Sequence, residues 1–271
     1  MPELPEVETV RRALEKRLEG GRIRAVAQNR ADLRFPLPAD LPGRLAGRVV
    51  QRFRRRAKYL LLDLDDGQTL LLHLGMSGRL VLDGEGGHKH EHVTFAFADG
   101  AVLRFIDPRR FGMIDLAGTE GLEDHPRLAT LGLEPMGNAF NGRALKDALG
   151  TSISPLKVAL MDQRRVVGVG NIYASESLFR ARLNPDRPAG TLDPGEAETL
   201  AASIRAVLTD AIAAGGSSLR DYVQTDGELG YFQHDFRVYG REGAPCLVCA
   251  TPIAKRVQAN RATFLCPACQ A

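Results

Sequence analysis

Long apolar runs are missing from this chain of 271 residues. The longest, "YLLL" and "TLLLHL", fall far short of the roughly 20 residues that cross a bilayer, so a soluble protein is expected. The opening "MPELPEVETV" has no basic segment leading into an apolar core. A secretory leader is therefore not expected, and the cytoplasm is the default compartment. A large charge imbalance is missing too. Lys and Arg number 36 against 33 Asp and Glu, a net +3, so bulk charge alone argues only weakly for a polyanionic partner. No cysteine precedes Cys246. Tryptophan is absent altogether, which carries no functional consequence. What remains is 44% hydrophobic, enough for real cores and too much for a disordered chain. The length suits one large or two medium domains.

The four cysteines, Cys246, Cys249, Cys266 and Cys269, read C-x2-C, sixteen residues, C-x2-C. Thiolates at this spacing can close a tetrahedral shell around one Zn²⁺. Two disulfides are the alternative, and they suit an oxidising compartment that the missing leader argues against. With all four positions filled by protein, the site is expected to be structural rather than catalytic.

Positive charge is unevenly spread. "QRFRRRAK" (51–58) holds five cations in seven residues, and "RFIDPRRF" adds three arginines. A solvated face is the plain reading of such runs. Phenylalanines interleaved with the arginines favour instead a polyanion with stackable bases.

"EVETVRRALEKRLEGGR" predicts an amphipathic helix, with Val7, Val10, Leu14 and Leu18 at helical spacing and Gly20-Gly21 ending it. From Ile23 to about Leu116 short apolar or alternating runs take over. "DDG" and "ADG" between them predict hairpin turns, because glycine accepts positive φ. The expectation is an antiparallel β-sandwich or barrel. "GTEGLEDHPRLATLGLEPMGNAFN" reads as a connection, and "GRALKDALG", "SPLKVALMDQ", "NIYASESLFRARL" and "DPGEAETLAASIRAVLTDAIAAGG" predict helices. The expected class is α+β and multidomain, with 1–132 an N-terminal β-sandwich flanked by helices. Residues 133–235 are expected to form a helical domain and 236–271 a four-cysteine zinc finger.

A proline after the initiator methionine has one clear chemical use. Once Met1 is trimmed, the Pro2 α-amine titrates roughly two units below a lysine, so far more of it is unprotonated at neutral pH. A secondary amine condenses with a sugar aldehyde carbon to an iminium, a fixed cation that acidifies the adjacent carbon. Glu3 and Glu6 would supply proton transfer. On its own the stretch fits equally well a helix start, where acids favour the dipole.

It does not stand on its own. "MPELPEVE", "RRAKYLLL", "HLGMSG", "KHEHV", "DPRRFG", "LMDQRRVVGVGNIYASE", "DGELGYFQ", "VYGREG" and "RATFLCPACQ" together resemble the bacterial formamidopyrimidine-DNA glycosylase family. The resemblance runs in order from Met1 to Gln270. The opening block looks like this branch rather than endonuclease VIII.

The resemblance implies a helix–two-turns–helix element, a zinc-finger β-hairpin, and a bifunctional glycosylase and abasic-site lyase of base excision repair. Its partner would be double-stranded DNA carrying oxidised purines such as 8-oxoguanine and formamidopyrimidines. The enzyme would act as a monomer in the bacterial cytoplasm, on the nucleoid. Pro2 would form the Schiff base with Glu3 assisting, Lys58 would contact phosphate and aid β-elimination, and Arg261 would grip phosphates and serve δ-elimination. Met76, Arg109 and Phe111 would fill the gap left by an extruded base, an apolar wedge plus a hydrogen-bonding arginine. His90, Arg109 and Asn171 would contact DNA. Residues 217–236 resemble the loop that closes over the extruded base. A basic residue just upstream of "LMDQ" would contact DNA, and Lys157 is the only cation in "GTSISPLK". "HKHEH" alternates His88, His90 and His92 as a strand would present metal ligands, but the resemblance assigns His90 to DNA. The competing readings are a non-catalytic zinc-ribbon DNA-binding protein and an endonuclease VIII-like glycosylase for oxidised pyrimidines.

Overall fold

The computed structural model describes residues 2–217 and 230–271. Contacts divide it into two compact units, Met1–Ala129 with Ala214–Tyr231, and Thr130–Ala213 with Phe232–Ala271.

In the first unit, helix α1 (Leu4–Leu18) is opened by a capping box in which the Glu3 N–H donates to Glu6 Oε2 at 2.8 Å. Val7, Val10, Leu14 and Leu18 form its buried stripe, none more than 2% exposed. Gly20, at φ 77°, takes the chain out of the helix, as the glycine pair predicts. Then come β1 (Ile23–Gln28), the short α2 (Leu41–Leu45), β2 (Val50–Arg56), β3 (Tyr59–Leu64), β4 (Gln68–His73), β5 (Arg79–Leu82), β6 (Glu91–Phe97), β7 (Val102–Ile106) and β8 (Met113–Gly118).

These strands make two four-stranded sheets, ordered β1-β6-β7-β5 and β2-β3-β4-β8, with every pair antiparallel. Leu60, Leu62, Leu70 and Leu72 of one sheet and Val93, Phe95, Leu103 and Phe105 of the other share a core with the α1 stripe. Each such side chain contributes about 1.5–3 kcal/mol of burial, which is what closes the predicted sandwich. Gly67 and Gly100 sit at φ 76° and 93° in the "DDG" and "ADG" turns, joining β3 to β4 and β6 to β7.

The second unit holds α3 (Gly142–Leu149), α4 (Leu156–Met161), α5 (Asn171–Arg180), α6 (Pro194–Ala213) and the hairpin β9 (Ala254–Gln258) and β10 (Arg261–Leu265). Two turns join α4 to α5, and the Gln163 side chain staples them. Its Oε1 accepts from the Gly168 N–H at 2.8 Å, and its Nε2 donates to the Met161 and Val169 carbonyls. Phe179 of α5 packs with Val238, Cys246, Ile253, Phe264 and Cys266, so the cysteine-bearing ribbon and the helices share apolar contacts. No helix among the described residues is long and apolar enough to cross a membrane.

Candidate functional site

Strand register gathers most of the first unit's candidate residues at one rim. Tyr59 opens β3, His73 closes β4 opposite it, and Met113 opens β8 opposite His73. Ala57 and Lys58 form the tight turn between β2 and β3, with Ala57 held at φ 54°. Helix α1 runs along β2: Arg11 donates to the Phe53 carbonyl, and Glu8 accepts from Arg55 at 3.1 Å. Pro2 and Glu3 lie just ahead of that helix, and the Ala57-Lys58 turn lies just beyond that strand. Pro2 is buried, and Glu3 and Lys58 are 3% and 6% exposed.

Glu6, 2% exposed, is a brace. One oxygen caps Glu3, and the other accepts from the Ser217 amide at 2.8 Å and the Ser217 hydroxyl at 3.0 Å. Gly216 lies so close that a Cβ there would stand 3.1 Å from Glu6 Oε1. Ser217 in turn bridges Tyr231, closing the base of the segment expected to cover an extruded base. Residues 218–229 of that expectation lie outside the described residues.

Beyond His73 the chain turns through Gly75, Met76 and Ser77, and this turn meets the one carrying Arg109 and Phe111. Phe111 is 40% exposed, an unusual place for a phenylalanine, and the Arg109 guanidinium lies 4.8 Å from its ring centre. Met76 is half-buried. His73 stacks on Tyr59, ring centres 4.7 Å apart, and its Nδ1 accepts from the Gly75 N–H at 3.0 Å. Burial, with Lys58 and Arg34 adding positive charge nearby, lowers its pKa to about 4, so the ring is neutral at pH 7.

The three alternating histidines do not share a strand face. β6 begins only at Glu91, and His92 is buried with Nε2 on the Asp107 carbonyl at 2.8 Å. His90 lies in the preceding turn, half-buried, and His88 is exposed.

In the second unit, Asn171 opens α5. Its Nδ2 donates to the Ala262 carbonyl at 3.0 Å and reaches the Tyr239 hydroxyl at 3.4 Å. Lys157 is 1% exposed, with Nζ on Asn171 Oδ1, the Ala262 carbonyl and Thr263 Oγ1. Lys157, the only cation in "GTSISPLK", is thus an internal tie within the second unit. Arg261, exposed, follows a turn in which Ala259 and Asn260 both take positive φ, 45° and 60°. The hairpin therefore presents Arg261 beside its tip. Glu176, 3% exposed, accepts the backbone N–H groups of Arg237, Val238 and Tyr239 and so fixes the chain entering the ribbon.

The cysteine sulfurs converge within 4.8 Å of one another, with individual pairs at 3.4, 3.5 and 4.0 Å. A tetrahedral zinc with Zn–S near 2.3 Å has S···S edges of about 3.8 Å. The donor set fits. Four thiols this close cannot all ionise unaided. Hydrogen bonds from Thr251 lower Cys249 to about 6, while hydrogen bonding to Cys249 pushes Cys269 up to about 12. A divalent cation would relieve that conflict by neutralising the set.

Three family models match in order: the formamidopyrimidine-DNA glycosylase N-terminal domain over residues 1–114, its H2TH domain over 131–223, and the zinc finger found in FPG and IleRS over 243–271. The chain belongs to the formamidopyrimidine-DNA glycosylase family. A formamidopyrimidine-DNA glycosylase of Cereibacter sphaeroides is 55% identical over 282 aligned positions, covering all of both chains. One of Acidiphilium cryptum is 51% identical over 98% of each. Among solved structures, the MutM (Fpg) protein of Thermus thermophilus superposes with a TM-score of 0.89 at 42% identity, covering 99% of this chain and 98% of that one. A Lactococcus lactis Fpg mutant bound to DNA containing Fapy-dG gives 0.91 at 35% identity, covering 99% of each chain. The formamidopyrimidine-DNA glycosylase family's zinc finger is the module carrying the four cysteines here, and they are the ligands of one structural zinc ion.

The family resemblance singles out Met76, Arg109 and Phe111 but passes over Ser77 and Asp107. Both stand inside the quoted blocks "HLGMSG" and "DPRRFG". Their spacing carries no signal, because they meet only through the fold.

Proposed function

We propose that this DNA glycosylase excises oxidised purines from double-stranded DNA and then cuts the strand, using the Pro2 amine. The observation that supports the reading is that Pro2, Glu3 and Lys58 are all buried, at the start of a helix tied by Glu8 and Arg11 to the strand that Lys58 follows. The nitrogen becomes an amine only when Met1 is removed. It attacks the deoxyribose C1′ as the C1′–N bond to the damaged base breaks and the base leaves with that electron pair and a proton. The sugar ring then opens: C1′–O4′ breaks, O4′ takes a proton and the nitrogen lone pair closes the iminium. That cation acidifies C2′, a base takes the C2′ proton, C3′–O breaks as its phosphate leaves, and a second elimination breaks C5′–O. A one-nucleotide gap with phosphate at both ends remains.

Glu3 serves as proton donor and acceptor at the sugar. Glu6, whose two oxygens already accept from Glu3 and Ser217, holds that end of α1 rather than moving protons. Lys58 contacts a phosphate and assists β-elimination, and Arg261 grips phosphates with the fork that suits them and assists δ-elimination. His90, Arg109 and Asn171 contact DNA, and Met76, Arg109 and Phe111 occupy the space of the extruded nucleotide. Zinc orders the hairpin that carries Arg261 and takes no part in bond breaking. The enzyme works as a cytoplasmic monomer, and residues 1–132, 133–235 and 236–271 are its functional segments.

Oxidised pyrimidines are a second substrate class to test, since a Lactococcus lactis relative is described bound to DNA containing one, at 34% identity and a TM-score of 0.90. The deciding experiment is borohydride trapping of protein lacking Met1, verified by intact mass, on a duplex with 8-oxoguanine opposite cytosine. An adduct mapping to Pro2 and lost in Pro2→Gly is expected. Tight binding without any adduct would favour the non-catalytic DNA-binding reading.

A further inference from the structure

We propose that Asp107 is a positioning residue that locks the Met76 turn and the Arg109–Phe111 turn into one rigid wedge. This rests on the reading that those three side chains fill the space of an extruded nucleotide.

Asp107 is fully buried, and both carboxylate oxygens are committed. Oδ1 accepts from Ser77 Oγ at 2.6 Å and, more weakly, from the Arg109 amide at 3.3 Å. Oδ2 accepts from the Gly112 amide at 2.7 Å. Ser77 Oγ itself accepts from the Arg109 amide at 3.2 Å. One carboxylate thus holds the residue after Met76, the backbone of Arg109 and the residue after Phe111. The Asp107 main chain is pinned as well, its carbonyl accepting from His92 Nε2 at 2.8 Å and its N–H donating to the His90 carbonyl at 3.0 Å.

Two glycines allow the turns to touch. A Cβ on Gly75 would stand 2.4 Å from the Phe111 carbonyl carbon and oxygen, and one on Gly112 would stand 2.6 Å from the Phe105 ring. Between the clamped ends, Arg110 is held at φ 56°, the left-handed region that non-glycine residues avoid. Hydrogen bonds donated to a buried carboxylate are strong enough to keep such a turn in place.

A wedge works only if it is stiff. A side chain inserted where a base has left must hold its position against restacking, so ordering it in advance lowers the cost of extrusion. Asp107 touches no substrate in this scheme and acts through Met76, Arg109 and Phe111.

The test compares Ser77→Ala and Asp107→Asn with wild type on two duplexes, one with 8-oxoguanine opposite cytosine and one with a preformed abasic site there. The abasic duplex has no base to unstack. Excision should fall ~10–100-fold, as expected for losing charged hydrogen bonds, while abasic-site cleavage changes by less than about threefold. In excision, Ser77→Ala combined with Arg109→Ala should be clearly less than additive. Equal losses on both duplexes, no loss at all, or strict additivity would overturn the proposal. If Met76→Ala and Arg109→Ala each leave excision unchanged, the void-filling reading fails and takes this one with it. If those two impair excision and Ser77→Ala does not, only the role of Asp107 fails. Should Asp107→Asn not fold, Ser77→Ala removes a single hydroxyl and still decides the matter.

Discussion

The Lys157 ammonium and the Asn171 carboxamide oxygen are joined at 2.5 Å in the interior of the second unit. That contact fixes which way the amide faces, because only Oδ1 can meet a cation. Nδ2 is thereby turned toward the Ala262 carbonyl and Tyr239. The burial of this ammonium is tolerated because oxygen acceptors on Asn171, Ala262 and Thr263 replace water around it.

Replacing Lys157 by Met is expected to leave Asn171, Ala262 and Thr263 without their shared donor. Hydrogen bonds to a charged group are worth about 1.5–3 kcal/mol each, so a loss of about 3 kcal/mol is expected in urea unfolding of the zinc-loaded protein. DNA affinity should fall with it, as Asn171 becomes free to rotate. A variant as stable as wild type would show that the ammonium is not the tie.

Glu176 gives a pH signature. Burial raises its pKa above the ordinary 4.5, against the opposing effect of three backbone donors. The folded protein therefore holds this proton to higher pH than the unfolded chain does. Stability from the group is full below the unfolded value and is lost as pH rises through the folded one. Glu176→Gln should remove that component, so wild type minus variant stability should decline as pH rises from 4.5. Parallel profiles would sink the idea.

For His73 the sign is opposite. Its pKa falls from 6.5 to about 4, so its contribution is present above 6.5 and is lost as pH drops toward 4. A ring titration followed by NMR should show a midpoint well below 6.5 in the free enzyme. A midpoint at or above 6.5 would mean that the ring is open to water beside Lys58.

Removing the metal should act on binding before chemistry. Chelation is expected to release one zinc per chain, loosen the β9–β10 hairpin and weaken DNA binding, with Zn²⁺ restoring it and Mg²⁺ not. Unchanged DNA affinity in metal-free protein would separate the hairpin from the DNA contact.

Much of this protein is written in short-range pattern. Helical spacing of Val7, Val10, Leu14 and Leu18, the glycines of "DDG" and "ADG", and the cysteine pairs are features of neighbours along the chain. Sterics and coordination geometry act on them locally, so α1, the two hairpins and the zinc site are legible without the fold. The ordered blocks from Met1 to Gln270 carry the family in the same way.

Other relationships have no local trace. Lys157 and Thr263 are 106 positions apart, and Glu6 and Ser217 are separated by 211. Whether a lysine faces water or a ring of oxygens depends on what packs over it. Nothing near Glu6 in the sequence shows that its side chain accepts from both the Glu3 and the Ser217 amides. Ser77 and Asp107 look ordinary where they stand in the sequence, and they meet only because two turns close on glycines with no Cβ to keep them apart. Residue type and spacing thus determined the elements and the zinc ligands, since those depend on neighbours. Only the tertiary structure decided which buried charges act as ties, because burial and pairing are set by segments far away along the chain.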